Sequence, residues 1–326
     1  MQIVFFASMR NDFLSGKIYY ILAIFPTITC SLLLFTILFE LGSWIFFSKK
    51  KQIFNTQRRK FLKLIFDSWF IILSVSMIFK GFINAVSLPK IKHIDIKNTK
   101  LKENINIALI SDVHLGKNLG KEFLQGLVDK VNTLNADVVI IAGDLIDANI
   151  DKMDYLSILE NFKSKYGTFY VYGNHEYYHN IEKIGNKLKK LKNFRVLEDE
   201  IFQFENFSLS GTLDLSAKYL GHKESDISKL TQQINNDKFN ILITHQPKYV
   251  KINNVKDFDL VLSGHTHAGQ IFPFSLLVLL EQGYVYGLYQ LSKKTLLYVS
   301  SGAGFWGPAL RFLAPSEIAF LKLKGE

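Results

Sequence analysis

Two histidines lie one residue apart in the segment SGHTHAGQ, residues 263–270, directly after the apolar run Asp259–Leu262. Imidazole nitrogens at this spacing can bind metal ions or transfer protons, and they can also make the ordinary hydrogen bonds of a turn. The chain has eight histidines in all. The positions of the other six histidines therefore help to decide whether this pair has a chemical role or only stabilises a turn.

Polar clusters follow five short apolar runs that have the length and β-branched content of buried strands. The runs are 105–110, 137–142, 168–172, 240–243 and 259–262, and the clusters after them read SDVH, GDLID, GNHE, THQP and SGHTH. Five of the eight histidines lie in these clusters. Chance does not explain such a placement, which favours one shared chemical site.

The elements that must position these clusters alternate along the chain. Helical patterns near 121–135 and 151–164 separate the first three apolar runs, and strand–helix–strand repetition indicates a layered α/β domain. In open α/β sheets the ligand site lies beyond the carboxyl ends of the strands. We therefore expect the five clusters to converge.

The converging groups are carboxylates, imidazoles and one amide: Asp112, Asp144, His114, His245, His265, His267 and Asn174. Oxygen and nitrogen donors without thiolate suit Mn²⁺, Fe or Zn²⁺ better than Ca²⁺. Seven donors exceed the needs of one ion but fit two divalent metal ions, of which Mn²⁺ is the first choice. Paired ions can clamp a phosphoryl group and activate a bound water.

The ordered motifs D-x-H, GD, GNHE, H and GHTH resemble those of the calcineurin-like metallophosphoesterases, over about residues 104–326. GHTHAGQ, YVYGLYQL, YVSSGAG and LRFLAPSEI resemble the membrane-associated bacterial branch, in which Ala268 is usually glycine. The resemblance implies a layered β-sandwich flanked by helices. It also implies two metal sites bridged by Asp144; the residues of one are Asp112, His114 and His267, and those of the other Asn174, His245 and His265.

The resemblance further implies that His175 acts near the leaving group, as a general acid or as a cationic stabiliser. Asp147 and Glu176 could orient a histidine or cap a helix, and Arg311 could contact phosphate or form an ordinary ion pair. An arginine that many family members carry after the GD motif is Ala148 here. His93, His179 and His222 have no motif around them, which favours surface or capping roles.

The first 88 residues predict a membrane region, and residues 89–326 a phosphoesterase domain. Residues 18–39 are free of charge for 22 positions, enough to cross about 30 Å of hydrocarbon. The segment 64–88 is a second span or an interfacial helix, and the run 48–63 between them holds seven basic residues. Flanking basic residues of this kind set topology and attract anionic lipid, so the formal charge of +10 does not predict nucleic-acid binding.

We expect an integral protein of the cell membrane. The basic run favours a cytoplasmic loop and an external catalytic domain, whereas an interfacial second segment would leave both in the cytoplasm. The single cysteine, Cys30, excludes a disulfide framework and a thiolate metal site.

The expected activity is hydrolysis of a phosphoester or pyrophosphate bond in a lipid-linked substrate. The leading specific candidate, taken from similar membrane-associated enzymes, is UDP-2,3-diacylglucosamine of lipid A synthesis. Alternatives are a phosphodiesterase acting on phospholipid or envelope polymer, a nuclease, and a non-catalytic scaffold; the complete set of motif residues argues against the last. The apolar run 273–280 is interpreted as a packed helix or as a rim that meets lipid or acyl chains.

Overall fold

The structure, a computed structural model, describes residues 56–325, residues 35–45 and the isolated positions Phe25, Thr29, Leu32 and Leu33. Most of the predicted span 18–39, including Cys30, and the first half of the basic run lie outside the described residues. The chain divides into two compact units. One contains the described residues up to Ala85 together with Gly307–Phe312, and the other contains Val86–Trp306 and the residues from Leu313.

The first unit contains two apolar helices, α1 (Phe35–Ile45) and α2 (Thr56–Val86). Within α2, the 27-residue segment Lys60–Val86 contains an 18-residue window with a mean hydropathy of 1.8 and is long and apolar enough to cross a membrane. At 1.5 Å per residue they extend about 40 Å, more than the hydrocarbon thickness of a bilayer. The predicted second segment is therefore one continuous helix.

Aromatic side chains join the elements of this unit. The Phe39 ring lies 5.1 Å from Phe70, and the Phe35 ring lies 6.0 Å from Phe70 and 6.3 Å from Phe312. The backbone N–H of Arg311 donates to the carbonyl of Gly81 at 2.9 Å. Arg311, considered above as a phosphate contact, is thus fully buried in the unit that contains α2.

The second unit is a sandwich of two six-stranded sheets, which confirms the layered α/β prediction. In chain order its strands are β1 (Lys90–Lys97), β2 (Ile105–Ile110), β3 (Val138–Ala142), β4 (Thr168–Val171), β5 (Phe194–Val196), β6 (Glu200–Gln203), β7 (Phe207–Gly211), β8 (Phe239–Ile243), β9 (Leu260–Ser263), β10 (Gly287–Gln290), β11 (Leu296–Val299) and β12 (Glu317–Lys324). The first sheet has the order β1-β12-β2-β3-β4-β5 and the second β10-β11-β9-β8-β7-β6.

The five predicted strands are β2, β3, β4, β8 and β9, and they occupy adjacent central positions in their sheets. The neighbours β2–β3–β4 and β7–β8–β9 pair in parallel, so their carboxyl ends share an edge. The inner faces of the two sheets form one core that includes Leu109, Ile140, Phe169, Ile241 and Leu260. Continuous burial on both faces explains why these runs read as apolar rather than alternating.

Helices connect the strands of the sandwich. They are α3 (Lys121–Asn132), α4 (Asn174–Tyr178), α5 (Ile181–Leu188), α6 (Ser216–Tyr219), α7 (Ile227–Thr231), α8 (Tyr249–Ile252) and α9 (Phe274–Gln282). The predicted helix at 151–164 is wrong, because the segment forms two 3₁₀ helices, Ile150–Lys152 and Leu156–Asn161. Most of its buried apolar residues recur at every third position, the period of a 3₁₀ helix rather than an α-helix. They are Ile150, Met153, Leu156, Leu159 and Phe162, and only Ile158 lies outside this series.

Candidate metal centre

The seven predicted metal ligands converge where the strands of the two sheets end. The turns after β2, β3 and β4 contribute residues from one sheet, and the turns after β8 and β9 contribute residues from the other. All but the half-buried His265 are buried. The carboxylate and imidazole donors among them fall into groups whose atoms lie within 4.8 Å of one another, and Asn174 Oδ1 lies 3.1 Å from His245 Nε2. Such separations suit ligands of shared metal ions.

One group consists of Asp112, His114 and His267. The Nε2 atoms of His114 and His267 lie 3.0 Å apart, and Asp112 Oδ1 lies 3.6 Å from His267 Nε2. The Asp112 carboxylate is fixed from behind, because the His265 backbone N–H donates to its two oxygens at 3.0 and 2.9 Å.

The other group surrounds the ring of His245. Its Nε2 lies 3.2 Å from Asp144 Oδ2, 3.1 Å from Asn174 Oδ1 and 3.2 Å from His265 Nδ1. The opposite ring atom, Nδ1, lies 2.8 Å from the carbonyl of Ala142. A carbonyl can only accept, so Nδ1 carries a proton and Nε2 is the ring atom that faces the group.

Asp144 connects the two groups. Its Oδ2 lies 3.2 Å from His245 and 3.7 Å from His114 Nε2, while its Oδ1 accepts the His175 backbone N–H at 2.9 Å. The carboxylate is almost completely buried. This is the position of a bridging ligand between two ions.

The donor set fits two divalent cations. Imidazole lone pairs and carboxylate oxygens face each other at 3.0 to 3.7 Å in both groups. Such buried acceptors repel one another unless protons or cations lie between them. With oxygen and nitrogen donors in both groups, the centre suits divalent transition metals.

Left-handed backbone conformations orient the side chains of the candidate ligands. The alternation of side chains along a strand does not. Positive φ angles of 48–71° occur at five of them, namely Asp112, His114, Asp144, His265 and His267. Non-glycine residues seldom adopt this region, and such strain is concentrated at functional sites. Both histidines of the HxH segment adopt this conformation, and they lie in different ligand groups.

Two glycines make room for this arrangement. At Gly143, where φ is +85°, a Cβ would lie 2.3 Å from His245 Nδ1. At Gly264, whose φ is not positive, a Cβ would lie 2.4 Å from Asp112 Oδ2. The role of Gly264 is therefore close approach of the backbone to the Asp112 carboxylate.

His175 lies at the edge of the centre with its ring fixed by Asp147. Asp147 Oδ1 lies 2.7 Å from His175 Nδ1 and 3.0 Å from His179 Nε2. The nearby 3₁₀ helix at Ile150–Lys152 is capped by Asn149 instead. Of the two interpretations of Asp147, histidine orientation is therefore the one that its contacts support.

Carboxylates hold the His175 ring in its cationic form. Burial disfavours the imidazolium, but the charges of Asp144 and Asp147 outweigh it and raise the pKa of His175 to about 9. Conversely, although burial favours the neutral acid, the neighbouring His175, His114 and His179 hold the pKa of Asp147 well below its ordinary value. An imidazolium at this position can donate a proton or stabilise negative charge at neutral pH.

Glu176 organises the backbone of the centre. Its carboxylate accepts N–H bonds from Gly173 at 2.7 Å, Ile146 at 2.8 Å and Asp144 at 3.1 Å. These donors belong to the turns after β3 and β4. Glu176 therefore caps the helix α4 at Gly173, as the capping interpretation expected, and it also fixes the two turns to each other.

Trp306 forms part of the rim beside His175, with ring centroids 5.8 Å apart. Its backbone N–H donates to Gln270 Oε1 at 3.0 Å, and Gln270 Nε2 donates back to the Trp306 carbonyl at 2.8 Å. This reciprocal pair attaches the tryptophan segment to the end of the HxH loop. Trp306 remains 43 % exposed, so its ring is available to a substrate.

Sequence reasoning missed His179 as a partner of Asp147. Its spacing of four residues from His175 was the available signal, because such a pair shares one side of a helical turn. The other two histidines without motifs lie elsewhere: the His93 ring contacts Phe320 at 5.5 Å, and the His222 ring contacts Tyr177 at 5.2 Å.

Ala268 provides a test of the strain in the HxH loop. It adopts φ 53° and ψ 26°, a left-handed conformation that costs an L-residue about 1 kcal/mol relative to glycine. We expect Ala268→Gly to raise the melting temperature of the full-length protein in detergent. A lower melting temperature, measured by scanning fluorimetry, would contradict strain at this position.

Comparison with known proteins identifies the family. Residues 105–269 match the sequence profile of the calcineurin-like phosphoesterases. Over its full length the chain is 44% identical to an uncharacterised metallophosphoesterase of Campylobacter jejuni, of which it covers 87%. It is 46% identical, over 85% of its length, to a Helicobacter pylori metallophosphoesterase, of which it covers 75%.

The similarity extends to a Danio rerio protein described as a transmembrane protein with metallophosphoesterase domain. The two are 36% identical over 75% of this chain and 59% of that protein. Family match, long-range identity and the convergent carboxylate and imidazole groups agree. The chain belongs to the calcineurin-like metallophosphoesterases, a family of metal-dependent phosphoester hydrolases.

Proposed function

We propose that the protein is an integral membrane phosphoesterase that uses two divalent ions to hydrolyse a phosphoester or pyrophosphate bond of a lipid-linked substrate. Mn²⁺ is the first candidate, with Fe and Zn²⁺ as alternatives. The observation that carries the proposal is the buried Asp144 carboxylate, which lies within 3.7 Å of one histidine from each ligand group.

The proposed ligands follow the two groups. One ion would be held by Asp112, His114 and His267, the other by Asn174, His245 and His265, and Asp144 would bridge them. When bound, such a pair lowers the pKa of water and neutralises charge on a phosphoryl group. Backbone N–H donors to Asp112 and Asp144 hold these carboxylates in position, so that they would be aimed at the ions.

His175 is the proposed acid. Its Nδ1 is engaged by Asp147, so Nε2 is the ring atom that would meet the leaving oxygen. The cationic ring can give its proton to that oxygen or stabilise its charge. Trp306 beside it covers one side of the reacting centre and would exclude water from the departing group.

A lipid-linked substrate is supported by the association of this centre with apolar features. The same chain contains a helix that is long and apolar enough to span a bilayer, and Phe272 and Trp306 are exposed on the segments next to the HxH loop. The specific candidate is UDP-2,3-diacylglucosamine, whose pyrophosphate would yield UMP and an acylated sugar phosphate. A phosphodiesterase acting on phospholipid or envelope polymer is the second candidate.

The bridging carboxylate is the first test. Asp144→Asn weakens a ligand common to both ions, so we expect loss of bound Mn²⁺ and of aryl phosphodiester hydrolysis. Chelation of the unmodified protein should have the same effect. Asp129→Asn, at an exposed carboxylate on α3, is the matched control and should retain metal and activity. Full activity with Asp144→Asn would refute the two-metal proposal.

The acid role of His175 predicts a pH effect. A base with a raised pKa is protonated below that pKa and loses its proton as the pH rises through it. Asp147→Asn removes a charge and an acceptor that raise the pKa of His175, so the alkaline limb of kcat should move to lower pH. Asp151→Asn, at an exposed carboxylate paired with Lys183, should not move it.

Removal of the His175 imidazole measures how much this side chain contributes to the rate of the chemical step. His175→Ala should retain bound metal and slow the chemical step about 10²–10⁴-fold, as expected for lost general acid catalysis. Metal content and single-turnover rates separate the two effects. Unchanged kcat in His175→Ala, or an unmoved alkaline limb in Asp147→Asn, would exclude the acid role.

The substrate is tested with detergent-solubilised protein, Mn²⁺ and UDP-2,3-diacylglucosamine, with UMP release as the readout. Alkaline phosphatase and fluorescent-protein fusions at Glu326 report which membrane face carries the catalytic domain. UMP release with a cytoplasmic domain would support this substrate. An external domain, or no release by protein that hydrolyses an aryl phosphodiester, would remove it and leave the second candidate.

A further inference from the structure

Helix α9 has the reverse of the pattern expected for a helix on a soluble domain. Gln282 is its buried residue, whereas its large apolar side chains face outward. Exposed fractions are 47% for Phe274, 57% for Leu276, 59% for Leu277, 45% for Leu279 and 81% for Leu280. Contiguous exposed apolar surface of this kind marks a contact with another apolar phase.

Polar contacts hold the carboxyl end of α9 against the catalytic unit. Gln282 Nε2 donates to Gln246 Oε1 at 3.4 Å, and the Lys248 backbone N–H donates to Gln282 Oε1 at 3.3 Å. Gln246 directly follows the candidate ligand His245. The helix is thus attached to the turn after β8, with its apolar side chains left outside.

The amino end of α9 abuts the HxH loop. A Cβ on Gly269 would lie 2.4 Å from the Cα of Ser275, so the loop and the first turn of the helix are in direct backbone contact. Helix α9 is therefore held between the two loops that carry the candidate ligands His267 and His245.

The charges around α9 are those of a surface that meets anionic lipid. Glu281, the charged residue within 272–290, is paired with Lys248 at 2.7 Å. Beyond the helix, Lys251 lies 5.6 Å from the Tyr284 ring and Lys92 lies 5.0 Å from the Tyr286 ring. Apolar residues bordered by tyrosine and lysine are typical of proteins that enter the interfacial region of a bilayer.

A lipid bilayer is the apolar environment that best explains this exposed surface, because the same chain contains a helix able to span one. Helix α2, which is long and apolar enough to span a membrane, ends at Val86, and β1 of the catalytic unit begins at Lys90. Any membrane occupied by α2 is therefore tethered to the catalytic unit by residues 87–89. A partner protein or a second copy has no comparable support.

We propose that α9 is a membrane-docking helix, whose side chains Phe274, Leu276, Leu277 and Leu280 insert into the lipid surface beside the metal centre. The inference goes beyond the proposed reaction, because it concerns where the catalytic unit is held and does not depend on which phosphate bond is cleaved.

The test uses the full-length protein in Cys30→Ser form, carrying Leu280→Cys labelled with an environment-sensitive fluorophore. The protein is reconstituted, one copy per nanodisc, in phosphatidylcholine and phosphatidylglycerol, with a chelator present so that no turnover occurs. Asn236→Cys is the matched control, because this exposed residue lies before the amino end of β8, opposite the metal centre.

We expect the label at position 280 to show blue-shifted emission, quenching by nitroxide lipids and protection from iodide, and the label at 236 to show none of these. Adding Leu276→Asp and Leu277→Asp should reverse the effects at 280; an unchanged melting temperature would show that the fold is kept. Iodide access at 280 equal to that at 236 would overturn the proposal. Protection seen only in discs with two copies would overturn it in favour of a second copy.

Discussion

The arrangement of the catalytic unit depends on one electrostatic constraint, the concentration of carboxylates and imidazole lone pairs in a buried volume. Asp144 is at its centre, with one oxygen facing histidines from both ligand groups and the other held by a backbone N–H. Burial of such acceptors is unfavourable without cations. The surrounding strands, turns and glycines can be understood as the means of holding this set together.

Both sheets contribute to bringing the candidate ligands together. Parallel strands on each side of the sandwich end at one edge, so residues far apart in sequence come together. The His265 backbone N–H, for example, donates to the Asp112 carboxylate across 153 positions. The apolar core between the sheets makes the edge rigid. Left-handed residues then turn the candidate ligands inward, and packing of the core must compensate for the energy that these conformations cost.

Much of this could be read from the sequence because buried strands and polar strand ends leave strong local signals. The five central strands and the convergence of the seven candidate ligands followed from them. The 151–164 segment was misassigned because three-residue and 3.6-residue periods differ little over so short a stretch. The roles of His179 and Gly264 depend on contacts between distant segments, which periodicity does not encode. The exposure of α9 could not be predicted either, because a buried helix and an exposed apolar helix have the same apolar run in the sequence.

Glu176 has a consequence for how the protein responds to metal. Because its carboxylate bonds the turns after β3 and β4 to each other, the separation between Asp144 and Asn174 is set by the protein itself rather than by an incoming ion. The centre is therefore preorganised, and little conformational entropy is lost when ions enter. Metal loading can then be a reversible exchange at a folded protein, responsive to the ions that the cell supplies, rather than a step of folding.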